Sequence, residues 1–366
     1  MAACHTIGLM SGTSLDGVDG VLVQFTESGQ PSILARAACE LPPPLRAELL
    51  ALNTPADNEL HRAALAANAL SDTYAEVVEQ LLRAANLSAG AIAAIGAHGQ
   101  TVRHRPELGY TTQLLAPARL AERTGISVIA DFRGRDVAAG GQGAPLVPAF
   151  HRATFGTDSP RVILNLGGIA NVTLLRPGVP VLGFDTGPAN LLLDLWCQRH
   201  TGKPYDQRGA WSASGKPDAS LLAHLLNSEP WFAVAPPKST GRDLFNAAWL
   251  DERLAAYAHL SPADVQATLV RLTVQSVVWP LTQQRLTDTP IYACGGGARN
   301  DVLMGTLAQA WQGPVQTTEA LGIGTQDMEA LAFAWLAWAH LNKNAGNLPE
   351  VTGASGARVL GACWPA

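Results

Sequence analysis

Four short stretches of this chain hold the residue types that phosphate and proton chemistry need. In Ser11-Gly-Thr-Ser-Leu-Asp-Gly17, small residues, hydroxyls and Asp16 stand between apolar runs that end at Met10 and resume at Val18. Glycine lets a backbone approach a ligand closely, and successive N–H groups can cradle an anion. The hydroxyls of Thr13 and Ser14 add donors for phosphate oxygens, and Asp16 or Asp19 can sit behind a hydrated Mg²⁺. Asn165-Leu-Gly-Gly-Ile-Ala-Asn171 repeats the pattern of a small-residue tip between β-rich runs. Gly183-Phe-Asp-Thr-Gly-Pro-Ala-Asn190 places Asp185 after a β-run and before a helix over 188–200. A carboxylate there is either a general base or the cap of that helix. Gly295-Gly-Gly297 follows the strand Ile291–Cys294 and opens a helix, a setting that suits an anion or a nucleotide but that any strand-to-helix turn can share.

Other polar residues gather at predicted strand ends. His98, Gln100 and Thr101 follow the short apolar run 91–97 and are either ligand contacts or locally bonded loop residues. Arg133-Gly-Arg135 follows the run 126–130. It is either a bidentate fork for a carboxylate or the partner of Asp131 and Asp136. Lys238 and Arg242 are rival anion binders, and Glu329 lies in the first turns of a late helix, where carboxylates favour the dipole.

The elements that must position these residues are legible in outline. The runs around residues 11–17 and 165–171 read as hairpins. Strands are expected near 32–38, 91–97, 111–115 and 126–130, and helices over 45–53 and 58–86. Residues 134–148 read as a loop before a helix near Pro148, and 201–243, rich in Gly, Pro and Ser, as a partly ordered excursion. Ser261-Pro-Ala-Asp264 is a capped helix start, with Pro280 expected to kink or divide the helix. Strands at 290–294 and 314–317 and helices at 298–311 and 325–342 complete a second lobe. The division is expected at 1–157 and 158–366, with a tail from about 344 that crosses back.

A chain of 366 residues suits two domains, and 47% hydrophobic with 15% charged residues describes a globular protein. A net charge of −5 without a long basic run argues against nucleic acid as a partner. Five cysteines at no metal-ligand spacing argue against a disulfide framework or a zinc site. The N-terminus lacks a signal-peptide pattern and the apolar run 330–341 is too short to span a bilayer, so no membrane association and a cytoplasmic residence are expected. All nine tryptophans lie at or after Trp196, which with the matching tips suggests a diverged duplication. A homodimer is an assembly the sequence allows without specifying.

The order of tips, acidic loop and glycine turn resembles the actin/hexokinase/heat-shock ATPase superfold. The motifs resemble, more narrowly, the anhydro-N-acetylmuramic acid kinase family: Gly8–Asp19, His98–His104, Asp131–Arg133, Gly141–Pro148, Asn165–Asn171, Phe184–Asn190, Lys238–Asp243, Phe245-Asn246, Cys294–Asn300 and Asp327–Ala330. The resemblance implies an α/β chain with a two-lobed actin-like/ribonuclease H-like ATPase fold and a cleft between lobes that closes on its ligands. It implies a cytoplasmic, ATP- and Mg²⁺-dependent enzyme of cell-wall recycling that opens 1,6-anhydro-N-acetylmuramic acid with water and phosphorylates O6. By the same resemblance, Asp185 is the base and Glu329 assists it. Gly12, Thr13, Ser14, Leu15, Asp16, Gly17, Val18, Asp19, Asn165, Gly167, Gly168, Gly295, Gly296, Gly297 and Asn300 hold nucleotide, while His98, Gln100, Thr101 and Arg133 hold sugar. Two other functions remain open at this point: a kinase acting on a free sugar hydroxyl, and a nucleotide-gated sugar sensor.

Overall fold

Strand β1 (Cys4–Met10) pairs antiparallel with β2 (Gly17–Phe25), and β2 with β3 (Pro31–Glu40), as expected of the first glycine-bearing stretch. In the computed structural model, residues 4–12, 15–236 and 238–366 are described, so Thr13 and Ser14 lie outside the described residues. After α1 (Pro43–Ala51) and the long α2 (Glu59–Ala85), strand β4 (Ala94–Ala97) runs parallel to β1. Helix α2 is amphipathic and buries Leu70, Tyr74, Val77, Val78 and Leu81 in the core with Ile7, Leu9 and Leu22 of the sheet.

Residues Gln100–Arg105, where no strand was expected, form strand β5, paired with β6 (Tyr110–Leu114) in a separate ribbon. Its sequence, Gln-Thr-Val-Arg-His-Arg, is too polar for apolar alternation to announce. Helix α3 (Pro117–Thr124) leads to β7 (Val128–Ala130), parallel to β4. Within the expected loop 134–148, a short helix α4 (Gly134–Ala138) starts where Asp131 accepts the N–H of Gly134 at 3.1 Å. Helix α5 (Val147–Phe155) follows.

The chain divides into two compact units, Met1–Gly156 with Asp327–Ala366, and Thr157–Gln326. The second unit opens with the antiparallel strands β8 (Arg161–Leu166), β9 (Ile169–Leu175) and β10 (Leu182–Pro188), followed by α6 (Asn190–Thr201). The excursion is more ordered than its composition suggests and contains α7 (Ala219–Asn227), capped by Asp218. Helix α8 (Ala247–Leu254) precedes α9 (Pro262–Gln283), whose Ser261 cap accepts the Asp264 N–H. Pro280 does not divide α9, since it falls in the last turn. Strand β11 (Ile291–Cys294), helix α10 (Asp301–Ala310) and strand β12 (Val315–Thr317) complete the unit, with β11 parallel to both β8 and β12.

From the sequence alone, the helix near 325–342 would close the second lobe. It is instead α11 (Met328–Leu341), which packs on β1, β2 and β4 of the first unit. Gly8 and Gly96 lie side by side in register there. A Cβ on either glycine would strike the α11 backbone at Ala330 O or Phe333 O, so the missing side chains and the alanines of α11 set the close approach. Strand β13 (Ala362–Trp364) then joins the edge of the first sheet at β7.

The two sheets run β13-β7-β4-β1-β2-β3 and β10-β9-β8-β11-β12. Setting β13 aside, each has a central first strand, an antiparallel second and third on one side, and two parallel strands on the other. Both units therefore share the ribonuclease H-like order of actin-like ATPases. Among the described residues, no helix is long and apolar enough to cross a membrane.

Candidate active site

Asp185 is not in a loop after a strand: β10 continues through Thr186-Gly-Pro188. Opposite Asn171, the register shifts between Asp185 and Gly187. A β-bulge of this kind bends a strand and re-aims a side chain, and bulges gather beside active sites. The carboxylate does not cap α6, whose N-cap is Ala189 with no side-chain cap. It is fixed instead by the excursion: Thr240 N–H donates to Oδ2 at 2.9 Å, and the Asp185 N–H donates to Lys238 O at 3.0 Å. Burial pushes the Asp185 carboxyl up to about 6, although the Thr240 N–H and the Lys238 charge both pull it down. A carboxyl that titrates just below neutral pH has the proton affinity that general-base chemistry needs. Lys238 is tied up internally: Nζ donates to Trp231 O at 3.2 Å and Phe232 O at 2.9 Å, and lies 4.1 Å from the Trp231 ring centre.

The glycines of the second unit fall into two groups. Gly295 has φ +81°, and a Cβ on Gly297 would stand 2.7 Å from Leu166 Cβ and 3.0 Å from Leu166 O. The fold itself demands glycine at both. Gly167, Gly168 and Gly296 have no left-handed φ, and a Cβ on any of them would meet nothing nearer than 3.5 Å. Packing within the unit does not demand glycine at these three, which lie on the β8–β9 tip and the glycine turn. Asn190 links the two elements. Its Nδ2 donates to Leu166 O at 3.0 Å, and its side chain faces the Cβ positions of both Gly296 and Gly297. Asn165 lies opposite Asn171 and Cys294, with its Oδ1 3.9 Å from Cys294 Sγ. The Asn300 side-chain oxygen caps α10, accepting from Val302 and Leu303 N–H at 3.1 and 3.0 Å.

In the first unit, Gly12 O accepts the Leu15 N–H at 3.2 Å. Leu15, at φ +57°, and Val18 bury their side chains in the core, so only their backbones are available to a ligand. Gly17 packs a would-be Cβ 2.6 Å from Cys39 O, which makes it a requirement of strand pairing. Asp16 is exposed and ion-paired with Arg46 at 3.4 Å, while Asp19 lies on β2 opposite Met10. Among the described residues, no group of three or more carboxylate, His or Cys side chains forms a metal cluster.

His98 and Arg133 meet directly. Arg133 Nε and Nη2 lie 3.2 and 3.0 Å from His98 Nε2, and Nη1 donates to Gly143 O at 2.8 Å. Burial, then the neighbouring guanidinium, pushes His98 down to about 3, which keeps it a neutral acceptor for Arg133. Burial lowers Arg133 to about 10, while the charges of Glu329 and Asp136 oppose the fall. Arg133 thus pairs with neither Asp131 nor Asp136, and Arg135 donates to Val359 O at 2.9 Å. Gln100 Oε1 accepts the Ser11 hydroxyl at 2.5 Å, joining β5 to the start of the first glycine-bearing tip. Thr101 accepts from Gln113 at 3.2 Å, and Glu329 is exposed in the first turn of α11.

A family model described as anhydro-N-acetylmuramic acid kinase matches residues 4–366. The chain belongs to this family. Curated relatives of the same name include one from Bordetella petrii, 61% identical over 362 residues, covering 98% of this chain and 96% of the relative. Another, from Burkholderia cenocepacia, is 56% identical over 365 residues, with 98% and 95% covered. Among solved structures, a Clostridium difficile activator of 2-hydroxyisocaproyl-CoA dehydratase with bound ADPNP aligns at TM-score 0.48 and 13% identity, covering 92% of this chain and 96% of that one. A Streptomyces griseus ROK family glucokinase with glucose and AMPPNP aligns at TM-score 0.40 and 14% identity, covering 90% and 98%.

Within this kinase of the anhydro-sugar family, Thr240, Trp231, Asn190 and Gly143 bond to or support the candidate residues, and the sequence did not single them out. Three of them lie in or next to quoted motifs, where a polar or glycine residue flanks a named one. Trp231 carried no signal of its own.

Proposed function

We propose that Asp185 is the general base of a reaction in which ring opening and phosphoryl transfer are coupled. The chain is an ATP-dependent kinase acting on 1,6-anhydro-N-acetylmuramic acid in cell-wall recycling. In that substrate O6 is tied to C1, so no 6-hydroxyl is free. Asp185 accepts a proton from a water whose oxygen bonds to C1; the C1–O6 bond breaks, O6 takes the γ-phosphoryl of ATP and ADP leaves. The product is N-acetylmuramic acid 6-phosphate. The observation that carries the reading is the buried, bulge-aimed Asp185 carboxylate with one oxygen pinned by Thr240. A free-hydroxyl sugar kinase would need no water beside the base.

The three glycines whose identity the packing leaves unexplained, Gly167, Gly168 and Gly296, support close backbone approach by nucleotide. Gly12 and the backbones of the first tip serve phosphate, and Arg133, oriented by His98, presents its remaining N–H groups to the lactyl carboxylate. Mg²⁺ suits scattered carboxylates because it keeps most of its waters and takes the rest of its ligands from phosphates; Asp16 and Asp19 would hold it through water. When bound it supplies neutralisation of the phosphate charge. The enzyme would reside in the cytoplasm.

The test is mass spectrometry of products formed from ATP and the anhydro sugar in ¹⁸O water. Label is expected at C1 and absent from phosphate. Label in phosphate would mean that water attacks phosphorus, and the coupled reading would fall.

A further inference from the structure

Gly143 is held from both sides. Its carbonyl accepts Arg133 Nη1 at 2.8 Å, and its N–H donates to Asp136 Oδ2 at 2.8 Å. Asp136 is fully buried on α4, and its Oδ1 accepts from Asn347 Nδ2 at 2.6 Å and from Thr352 Oγ1 at 2.8 Å. All three partners are neutral donors. A buried carboxylate is costly unless its oxygens are bonded, and here both are. Asparagine would not serve, because its NH₂ would face either the Gly143 N–H or the Asn347 NH₂. Asn347 cannot turn to suit it, since its own Oδ1 accepts the Arg358 N–H at 2.7 Å. Asn347 and Thr352 lie in the segment after α11, 211 and 216 residues from Asp136. That segment is stitched to the loop after α4: Thr352 O accepts the Gln142 N–H at 2.7 Å, and Ala139 O accepts the Ser355 N–H at 2.8 Å. A Cβ on Gly141 would stand 2.2 Å from Asp136 Oδ2, so glycine lets this loop close over the carboxylate. Of the five N–H donors of the Arg133 guanidinium, three point at His98 Nε2 and Gly143 O, and two are left for a ligand.

We propose that Asp136 is a positioning residue for recognition of the substrate's carboxylate. Through Gly143, and backed by the C-terminal segment, it fixes the Arg133 guanidinium so that the two remaining N–H donors meet the lactyl oxygens. The proposal rests on Arg133 being the lactyl ligand. Both N–H groups at His98 share one acceptor atom, about which the guanidinium could swing. The bond to Gly143 O stops that motion, and charged hydrogen bonds reward a fixed direction. Asp136 touches no substrate in this scheme; it acts through the place it gives Gly143.

The experiment measures, by calorimetry without ATP, the Kd of wild type, Asp136→Asn and Arg133→Ala for two sugars, each protein as the full chain. One sugar is 1,6-anhydro-N-acetylmuramic acid; the other is 1,6-anhydro-N-acetylglucosamine, with a hydroxyl in place of the lactyl ether. The readout is each protein's preference, the ratio of the two Kd values, which does not depend on the fraction of a variant that is folded. Asp136→Asn is expected to cut the preference for the lactyl sugar about three- to tenfold, the worth of one hydrogen bond, and Arg133→Ala to cut it further. A merely structural Asp136 would weaken both sugars alike. A wild-type preference in Asp136→Asn, where Arg133→Ala has lost it, would overturn the proposal. A wild-type preference in Arg133→Ala would instead remove the reading on which the proposal rests. Should Asp136→Asn fail to fold, Thr352→Val, which has threonine's shape but no donor for Oδ1, is read in the same way against Thr352→Ser. A fall of about threefold in Thr352→Val, restored in Thr352→Ser, is expected; equal preferences in the two would overturn the proposal.

Discussion

Replacing Asp185 with asparagine should make the protein more stable at neutral pH while it lowers turnover by orders of magnitude. The carboxyl is displaced by burial from an ordinary 3.8 to about 6. At pH 7.5 the folded state therefore holds a charge it disfavours, and the interval between 3.8 and 6 corresponds to about 3 kcal/mol. The asparagine side chain would carry no charge and its oxygen could keep the Thr240 N–H, but it would lose the attraction of Lys238. A net gain of about 1–2 kcal/mol is expected, or about 3–6 °C in Tm for domains of this size. The sign with pH is diagnostic. The folded pKa lies above the unfolded one, so the wild-type penalty is full above about pH 6, shrinks as pH falls through that value, and is gone below about 4. Thermal scans of both proteins from pH 4 to 8 should show the Asp185→Asn variant ahead at pH 7.5 and level near pH 4. Over the same range its turnover should be lower by about 10²–10⁴-fold. A variant that is less stable at pH 7.5, or ahead by the same margin at every pH, would refute the claim that Asp185 is a desolvated, strained base.

The wild-type pH profile should follow the same group: log kcat/KM rises with unit slope below about pH 6, where Asp185 protonates, and levels above it; a profile flat from pH 5 to 8 would exclude Asp185 as base. Gly296→Val should leave the second unit folded and weaken ATP binding by calorimetry, because a Cβ there meets only Asn190 Nδ2, at 3.5 Å. Gly297→Val should instead lower Tm, since its Cβ would press on Leu166 at 2.7 Å; the reverse pattern would reassign the two glycines. Arg133→Ala should raise KM for the anhydro sugar by about 10-fold or more, the worth of one charged hydrogen bond, and change it little for an analogue without the lactyl group. Equal losses with both compounds would leave Arg133 a purely structural partner of His98 and Gly143.

What the sequence disclosed, and what it withheld, divides along the range of the interactions involved. The hairpin tips and the Ser261 cap of α9 are local features, set by glycine, small polar residues and Pro262 within a few positions of one another. Those were legible. The extent of β10 was not, because Gly187-Pro188 reads as a turn; the structure tolerates proline there since β10 is the edge of its sheet and Pro188 ends it. Nor was the home of α11. A helix apolar on every face says that it is buried but not against which sheet, and the answer lay far upstream in Gly96 and Gly8. The deepest gap concerns the excursion. Its Gly, Pro and Ser content carries no periodicity and suggests loose structure, yet its order comes from specific bonds, Trp231 to Ser239 and Lys238 back to the Trp231 and Phe232 carbonyls. Asp185 could be named from its neighbours in sequence. What makes it a base, its burial and the Thr240 amide on one oxygen, comes from a segment that only folding brings to it.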